Sequence, residues 1–228
     1  MKITVLDNIL KANDAIAEEI REELASHKVL AINLMSSPGA GKTTLLERTI
    51  EKLEPLGIHV GVVEGDIATT RDSDRLRKFD IPIVQINTGS ACHLDANMTR
   101  SALSNLDCSA VDILFIENVG NLVCPAEFKI GEDHKVMMLS VTEGDEKPLK
   151  YPLMFRESSA MLINKIDLLA YTNFSMDEAR KNAHSINPKL AIFPLSCTTG
   201  EGLNNWLKWM TTELEKKRKR LQKKTKKK

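Results

Sequence analysis

A chain of 228 residues with 42% hydrophobic content can bury one sizeable core, and nowhere do eighteen apolar residues run together, which excludes a membrane-spanning helix. The net charge of +1 hides an asymmetry, because ten of the 32 Lys and Arg residues and none of the 31 Asp and Glu lie in 216–228, leaving a body near −9. That balance argues against a nucleic-acid binder and predicts a single domain over 1–215 followed by a disordered basic tail over 216–228.

The first ten residues carry Asp7 and lack the apolar core of a signal peptide, so a cytoplasmic location is expected. Cys92, Cys108, Cys124 and Cys197 are then reduced thiols, and none forms a C-x-x-C pair. Ile9, Ala12, Ile16, Ile20 and Leu24 recur near helical spacing, which predicts an amphipathic helix packed ahead of the main sheet.

An apolar run over 29–35 predicts a buried strand. It breaks into Ser36-Ser37-Pro38-Gly39-Ala40-Gly41-Lys42-Thr43-Thr44 and resumes as helix to Leu53. Such a turn curls successive N–H groups around one phosphate, with Lys42 for the outer phosphates and the Thr43 hydroxyl for a magnesium ion. Ser36 stands where this motif ordinarily has its first glycine. A second strand over 58–63 runs into Glu64-Gly65-Asp66, and a carboxylate at a strand's carboxyl end makes Asp66 a magnesium or water-positioning candidate. Asp72, just ahead of the charged helix expected to run to Phe79, is a weaker one.

A third strand is expected at 81–86, a helix from about 95 to 106, and a fully apolar strand over 111–116 ending in Glu117-Asn118-Val119-Gly120. The last segment looks like the acid-x-x-Gly element of GTPases, in which the acid serves the magnesium shell and the glycine N–H senses the terminal phosphate. Further strands are expected at 136–141 and 160–163. The latter ends in Asn164-Lys165-Ile166-Asp167, where Asp167 can accept from the ring N–H and exocyclic amine of guanine. After a last strand, Ser196 and Cys197 open a loop resembling one that reaches the guanine oxygen. Leu203, Trp206, Leu207, Met210 and Leu214 then form a core-facing helical stripe.

Alternating apolar strands and helices predict an α/β fold, a mostly parallel sheet covered by helices on both faces, of the P-loop NTPase kind. On its functional edge Cys92, His93 and Cys124 are a soft donor set suited to nickel or zinc. Three ligands leave such an ion incomplete, and a twofold-related copy could supply the rest. Cys124 follows Gly120 by four residues, so nucleotide state could govern metal affinity.

These segments together resemble the HypB family of hydrogenase maturation GTPases. The resemblance runs through residues 36–44, Gly65-Asp66, Asn87-Thr88-Gly89, Cys92 to Ala96, Glu117 to Pro125, Ser140 to Gly144 and Asn164 to Asp167. It implies GTP hydrolysis with magnesium, a GTP-dependent homodimer with metal at the interface, and a Lys147 that reaches the partner's nucleotide. It also implies a nickel metallochaperone and a hydrogenase large-subunit precursor as partners. The N-terminal cysteine motif and His-rich stretch of some members are not found here. A urease-type nickel GTPase, a small-molecule P-loop kinase and an RNA-binding module stand as the alternatives.

Overall fold

The structure, a computed structural model, describes residues 3–66 and 75–225, with side chains described over 10–66 and 75–223. Asp72 lies outside the described residues. Among the described residues seven strands form one sheet: β1 (Leu30–Ser36), β2 (Val60–Asp66), β3 (Ile83–Asn87), β4 (Ile113–Glu117), β5 (His134–Ser140), β6 (Ala160–Asn164) and β7 (Ala191–Pro194). Their order is β3-β2-β4-β1-β5-β6-β7, and every pairing is parallel. The expected fold class is therefore the observed one. The chain leaves β1 in one direction and returns in the other, so the sheet divides at β1, the kind of place where such sheets bind ligands.

Side-chain alternation assigns the two faces. Leu30, Ile32 and Leu34 of β1 pack with Leu45, Leu46 and Ile50 of α2 (Lys42–Leu53) and with Trp206, Met210 and Leu214 of α8 (Leu203–Thr225). Trp206 is fully buried and donates its indole N–H to Thr49 Oγ1 at 3.2 Å, tying α8 to α2. On the opposite face Ala17, Ile20 and Leu24 of α1 (Ile3–Ser26) and Ala102 and Leu103 of α3 (Ala96–Leu103) cover Ala31, Val63, Leu114 and Ile116. Farther along that face α6 (Pro152–Glu157) and α7 (Met176–Ile186) cover Met137, Leu139, Met161 and Ile163. Two short helices, α4 (Cys124–Glu127) and α5 (Lys147–Lys150), lie at the carboxyl edge of the sheet.

The basic end departs from expectation. Through Thr225 it continues α8 and is not a disordered tail. Tertiary partners that no local pattern reveals hold the stretch from 216 onward: Lys217 Nζ meets Asp133 Oδ2 at 2.5 Å with both side chains almost wholly buried, and Arg218 pairs with Asp112. Asp133 Oδ2 also accepts the Ala31 N–H at 2.9 Å, so the pair fixes α8 to the amino end of β1. Burial lowers the Lys217 pKa, and the Asp133 carboxylate offsets this only in part. Breaking such a pair strands a buried charge. We expect Lys217→Met to cost about 3 kcal/mol of unfolding free energy, measured by urea denaturation. A change within 0.5 kcal/mol, the usual scatter of a surface site, would return this segment to the solvent.

Candidate functional site

Residues 37–41 make the whole turn from β1 into α2. Gly39 (φ 76°) and Gly41 (φ 106°) occupy left-handed conformations that disfavour a side chain. Gly41 is constrained twice, since a Cβ there would lie 2.6 Å from Asn164 Nδ2. Ser36, in contrast, is still part of the strand and its φ is not positive, so nothing there requires glycine. Its buried hydroxyl accepts from Lys42 Nζ at 3.1 Å and donates to the Ser37 carbonyl at 2.6 Å. The irregular position thus holds the lysine. α2 starts without a side-chain cap, which leaves first-turn N–H groups available to an anion at the positive end of the helix dipole.

Beside this turn the sheet supplies hard oxygen donors. Thr43 Oγ1 donates to Glu117 Oε1 at 3.1 Å, and both residues are buried. Register sets Glu64 opposite Glu117. Alternation along the strands then sends Glu64, Asp66 and Glu117 to the α2 face, the face on which Thr43 lies. Glu64 was missed by sequence reasoning. A buried acid one residue before a glycine reads as a strand residue until pairing places it next to Glu117. Carboxylates and a hydroxyl at a phosphate turn are the donor chemistry that magnesium takes, so the residues present fit that ion.

The base-side segments lock onto the same turn. Asn164, at the end of β6, donates Nδ2 to Ala40 O at 2.8 Å and accepts the Cys197 N–H on Oδ1 at 3.1 Å. Lys165, in a left-handed conformation, donates to Gly39 O at 2.8 Å. Asp167 is exposed, and among the described residues nothing hydrogen-bonds its carboxylate. Ser196 Oγ accepts the Thr198 and Thr199 N–H groups, shaping the loop that Cys197 enters, and Arg48 of α2 donates to Cys197 O at 3.0 Å. Burial pushes the Cys197 thiol up to about 12, so it serves here as a packed residue and a backbone donor. Lys147 begins α5 with Nζ 5.4 Å from the Tyr151 ring centroid, and among the described residues no hydrogen bond joins it to Ser37, Pro38 or Thr44 of its own chain.

The soft donors come together on the other face. Ligand atoms of Cys92, His93 and Cys124 all lie within 4.8 Å of one another, with 3.2 Å between the two sulfurs and 3.7 Å from Cys92 Sγ to His93 Nδ1. Cys92 is exposed, whereas His93 and Cys124 are half-buried. Hydrogen bonding to Cys92, then burial, raises the Cys124 pKa. Burial lowers that of His93 against the pull of Asp95 and Glu127, favouring the neutral imidazole that a metal requires. The His93 ring packs on Phe128 with centroids 4.1 Å apart.

Three supports of this cluster carry no sequence signal. Asn13 of α1 donates to Lys129 O at 2.8 Å and accepts the Ala96 N–H at 2.9 Å, bracing the chain just past both ligand segments. The amphipathic helix, expected only to pack ahead of the main sheet, therefore holds this cluster from behind. Lys135, 8% exposed, donates to Ala126 O at 2.6 Å and so pins the helix that begins with Cys124. Asn121 Nδ2 donates to Cys92 O at 3.3 Å. At the junction of the two sites Gly120 fits against the phosphate turn, where a Cβ would lie 2.9 Å from Pro38 N and Cγ.

Comparison with known proteins agrees with this arrangement. The family described as "CobW/HypB/UreG, nucleotide-binding domain" matches residues 30–194. The hydrogenase maturation factor HypB of Escherichia coli K12 is 49% identical over 206 residues, covering 90% of this chain and 71% of that protein. The hydrogenase/urease maturation factor HypB of Helicobacter pylori J99 is 40% identical over 224 residues, covering 96% of this chain and 90% of that protein. A crystal structure of Helicobacter pylori HypB in complex with nickel superposes with a TM-score of 0.85 at 39% identity, covering 92% of this chain and 97% of the other.

Proposed function

Because the chain belongs to the HypB hydrogenase maturation factors within the CobW/HypB/UreG nucleotide-binding family, we propose that it hydrolyses GTP and uses the cycle to hold and release nickel for insertion into a nickel-iron hydrogenase. The observation that carries this reading is the convergence of Cys92, His93 and Cys124 on a segment whose other end, Glu117 to Gly120, touches the phosphate turn. Thiolates with a neutral imidazole suit nickel or zinc as cargo, and the solved Helicobacter pylori relative was crystallised with nickel.

Hydrolysis would rest on charge stabilisation at the transferred phosphoryl group. Lys42 and the first-turn N–H groups of α2 meet the outer phosphates, and Asp167 selects guanine while Asn164, Lys165, Ser196 and Cys197 hold its loop in register. Thr43, Asp66 and Glu117 are the residues to hold magnesium, which when bound neutralises charge on the phosphates. Gly120, packed on Pro38, is the sensor of the terminal phosphate. Three protein ligands leave the cargo ion short of a full set, so two copies pool theirs across a GTP-dependent interface, to which Lys147 also contributes.

The reading sets this work in a reducing compartment, the cytoplasm, where the Cys92 and Cys124 thiols stay available to a metal, and among the described residues no helix is long and apolar enough to cross a membrane. A nickel metallochaperone and a hydrogenase large-subunit precursor are the partners this role requires. Service to urease is the second reading, favoured by the double name of the Helicobacter pylori relative.

The test is nickel titration with mass measurement, with and without a non-hydrolysable GTP analogue. Cys92→Ala and Cys124→Ala are each expected to lower nickel stoichiometry while leaving GTP affinity within about twofold, since neither touches the phosphate turn. Full nickel binding by both variants, or a wild-type monomer indifferent to nucleotide, would overturn the reading.

A further inference from the structure

Glu117 and Asn118 are consecutive, and alternation along β4 turns them to opposite sides of the sheet. Glu117 faces α2 and bonds to Thr43, on the nucleotide side. Asn118, 1% exposed, faces the α1 side. Its Oδ1 accepts two backbone N–H groups, those of Val119 and Leu94, each at 3.0 Å. Leu94 directly follows His93. Those two acceptances fix the orientation of the amide, so its Nδ2 donates to Asn33 Oδ1 in β1 at 3.2 Å. The Asn118 backbone N–H donates to Leu34 O at 3.0 Å, which keeps the residue in step with the sheet.

Leu94 is itself a wedge. It is fully buried, and a Cβ on Gly65 would lie 2.8 Å from three of its side-chain carbons. The residue behind His93 is therefore seated on the strand that ends in Asp66 and hydrogen-bonded to the residue after Glu117. Cys124 belongs to the same run of chain as Asn118, whereas Cys92 and His93 come from a different loop. The Asn118 to Leu94 bond is what joins the second loop to the first at a buried point, and the exposed Asn121 to Cys92 contact is a weaker companion.

We infer that Asn118 is the positioning residue through which nucleotide state reaches Cys92 and His93, making both ligand arms respond together. The inference rests on the proposed nucleotide-linked metal site and specifies the route. Without the bond, movement of the segment from Glu117 to Gly120 would shift Cys124 alone, and the Cys92 to His93 loop would keep its place on Gly65.

The experiment uses the full chain, nickel as the probe, and a non-hydrolysable GTP analogue with magnesium. The readout is the ratio of nickel affinities with and without the analogue, checked by the reciprocal ratio of analogue affinities with and without nickel, which linkage requires to be the same. Asn118→Ser leaves a hydroxyl too short to reach Leu94. Asn118→Asp keeps an acceptor for both N–H groups, and the Asn33 amide can turn to donate to it.

We expect the wild-type ratio to lie in the roughly 5- to 150-fold range typical of coupled sites. In Asn118→Ser it should fall by at least about threefold, the remainder being what the Cys124 arm transmits alone, with nucleotide-free nickel affinity little changed. Asn118→Asp should restore it. A wild-type ratio retained in Asn118→Ser overturns the inference and leaves the proposed function standing. Equal weakening of nickel binding in both nucleotide states assigns Asn118 a purely structural role and also overturns it. A wild-type ratio of unity removes the linked site itself, and the inference with it.

Discussion

Asp167→Asn should weaken GTP by roughly 100-fold and shift preference toward xanthosine triphosphate, measured by competition against a labelled guanine nucleotide. The Asn amide nitrogen cannot accept, so one of guanine's two hydrogen bonds to the carboxylate is replaced by a donor–donor contact, and the other passes to a neutral carbonyl. Asp167 is exposed, so the low end of the range for charged acceptors applies, about 1.5 kcal/mol for each of the two changes and about 3 kcal/mol together. An amide at that position can instead donate to the additional carbonyl of xanthine. Because Asn164 and Lys165 hold the phosphate turn independently of Asp167, the fold and the phosphate contacts should survive the exchange. Unchanged base preference would remove the guanine assignment and return the small-molecule kinase to contention.

Lys42→Met should reduce the rate of phosphate release in single turnover by on the order of 10²- to 10³-fold, the usual loss on removing one preorganised charge from a transition state. Lys42 is nearly buried and held by the Ser36 hydroxyl, so its ammonium is already in place before substrate arrives and needs little ordering. Methionine keeps the length and apolar character of the stem, which confines the change to the charge. A variant that hydrolyses within about threefold of wild type would show that the lysine is only a structural partner of Ser36.

Much of this site was legible because its chemistry is local. Gly39 and Gly41 announce backbone conformations, and the apolar runs before the phosphate turn, before Glu117 and before Asn164 announce strands buried on both sides. The fold class followed from that alternation. Cys124 was placed by its distance from Gly120, and the structure brings it to Cys92 and His93. What escaped depends on pairing between remote segments. Glu64 joins the oxygen donors only because β4 sits between β2 and β1. Asn13, Asn118 and Lys135 act through backbone groups of other loops, and a polar residue bound to a remote carbonyl or N–H looks no different in sequence from one facing water. The basic run after Lys216 reads as a solvated tail until Asp112 and Asp133 are seen to meet it.

The pinned end of α4 would set the stroke of the proposed metal site. Four residues of helix span about 6 Å, with Lys135 clamping the third and Cys124 at the first, so the thiol can swing only about a fixed pivot and over a short arc. A thiolate bond to such a metal is about 2.3 Å long, and a displacement of even about 0.5 Å is a large fraction of it. In the proposed cycle cargo release would then need no opened lid and no unfolded loop, only mistuning: a small joint rotation of the two ligand arms would spoil the coordination polyhedron while the surrounding fold held.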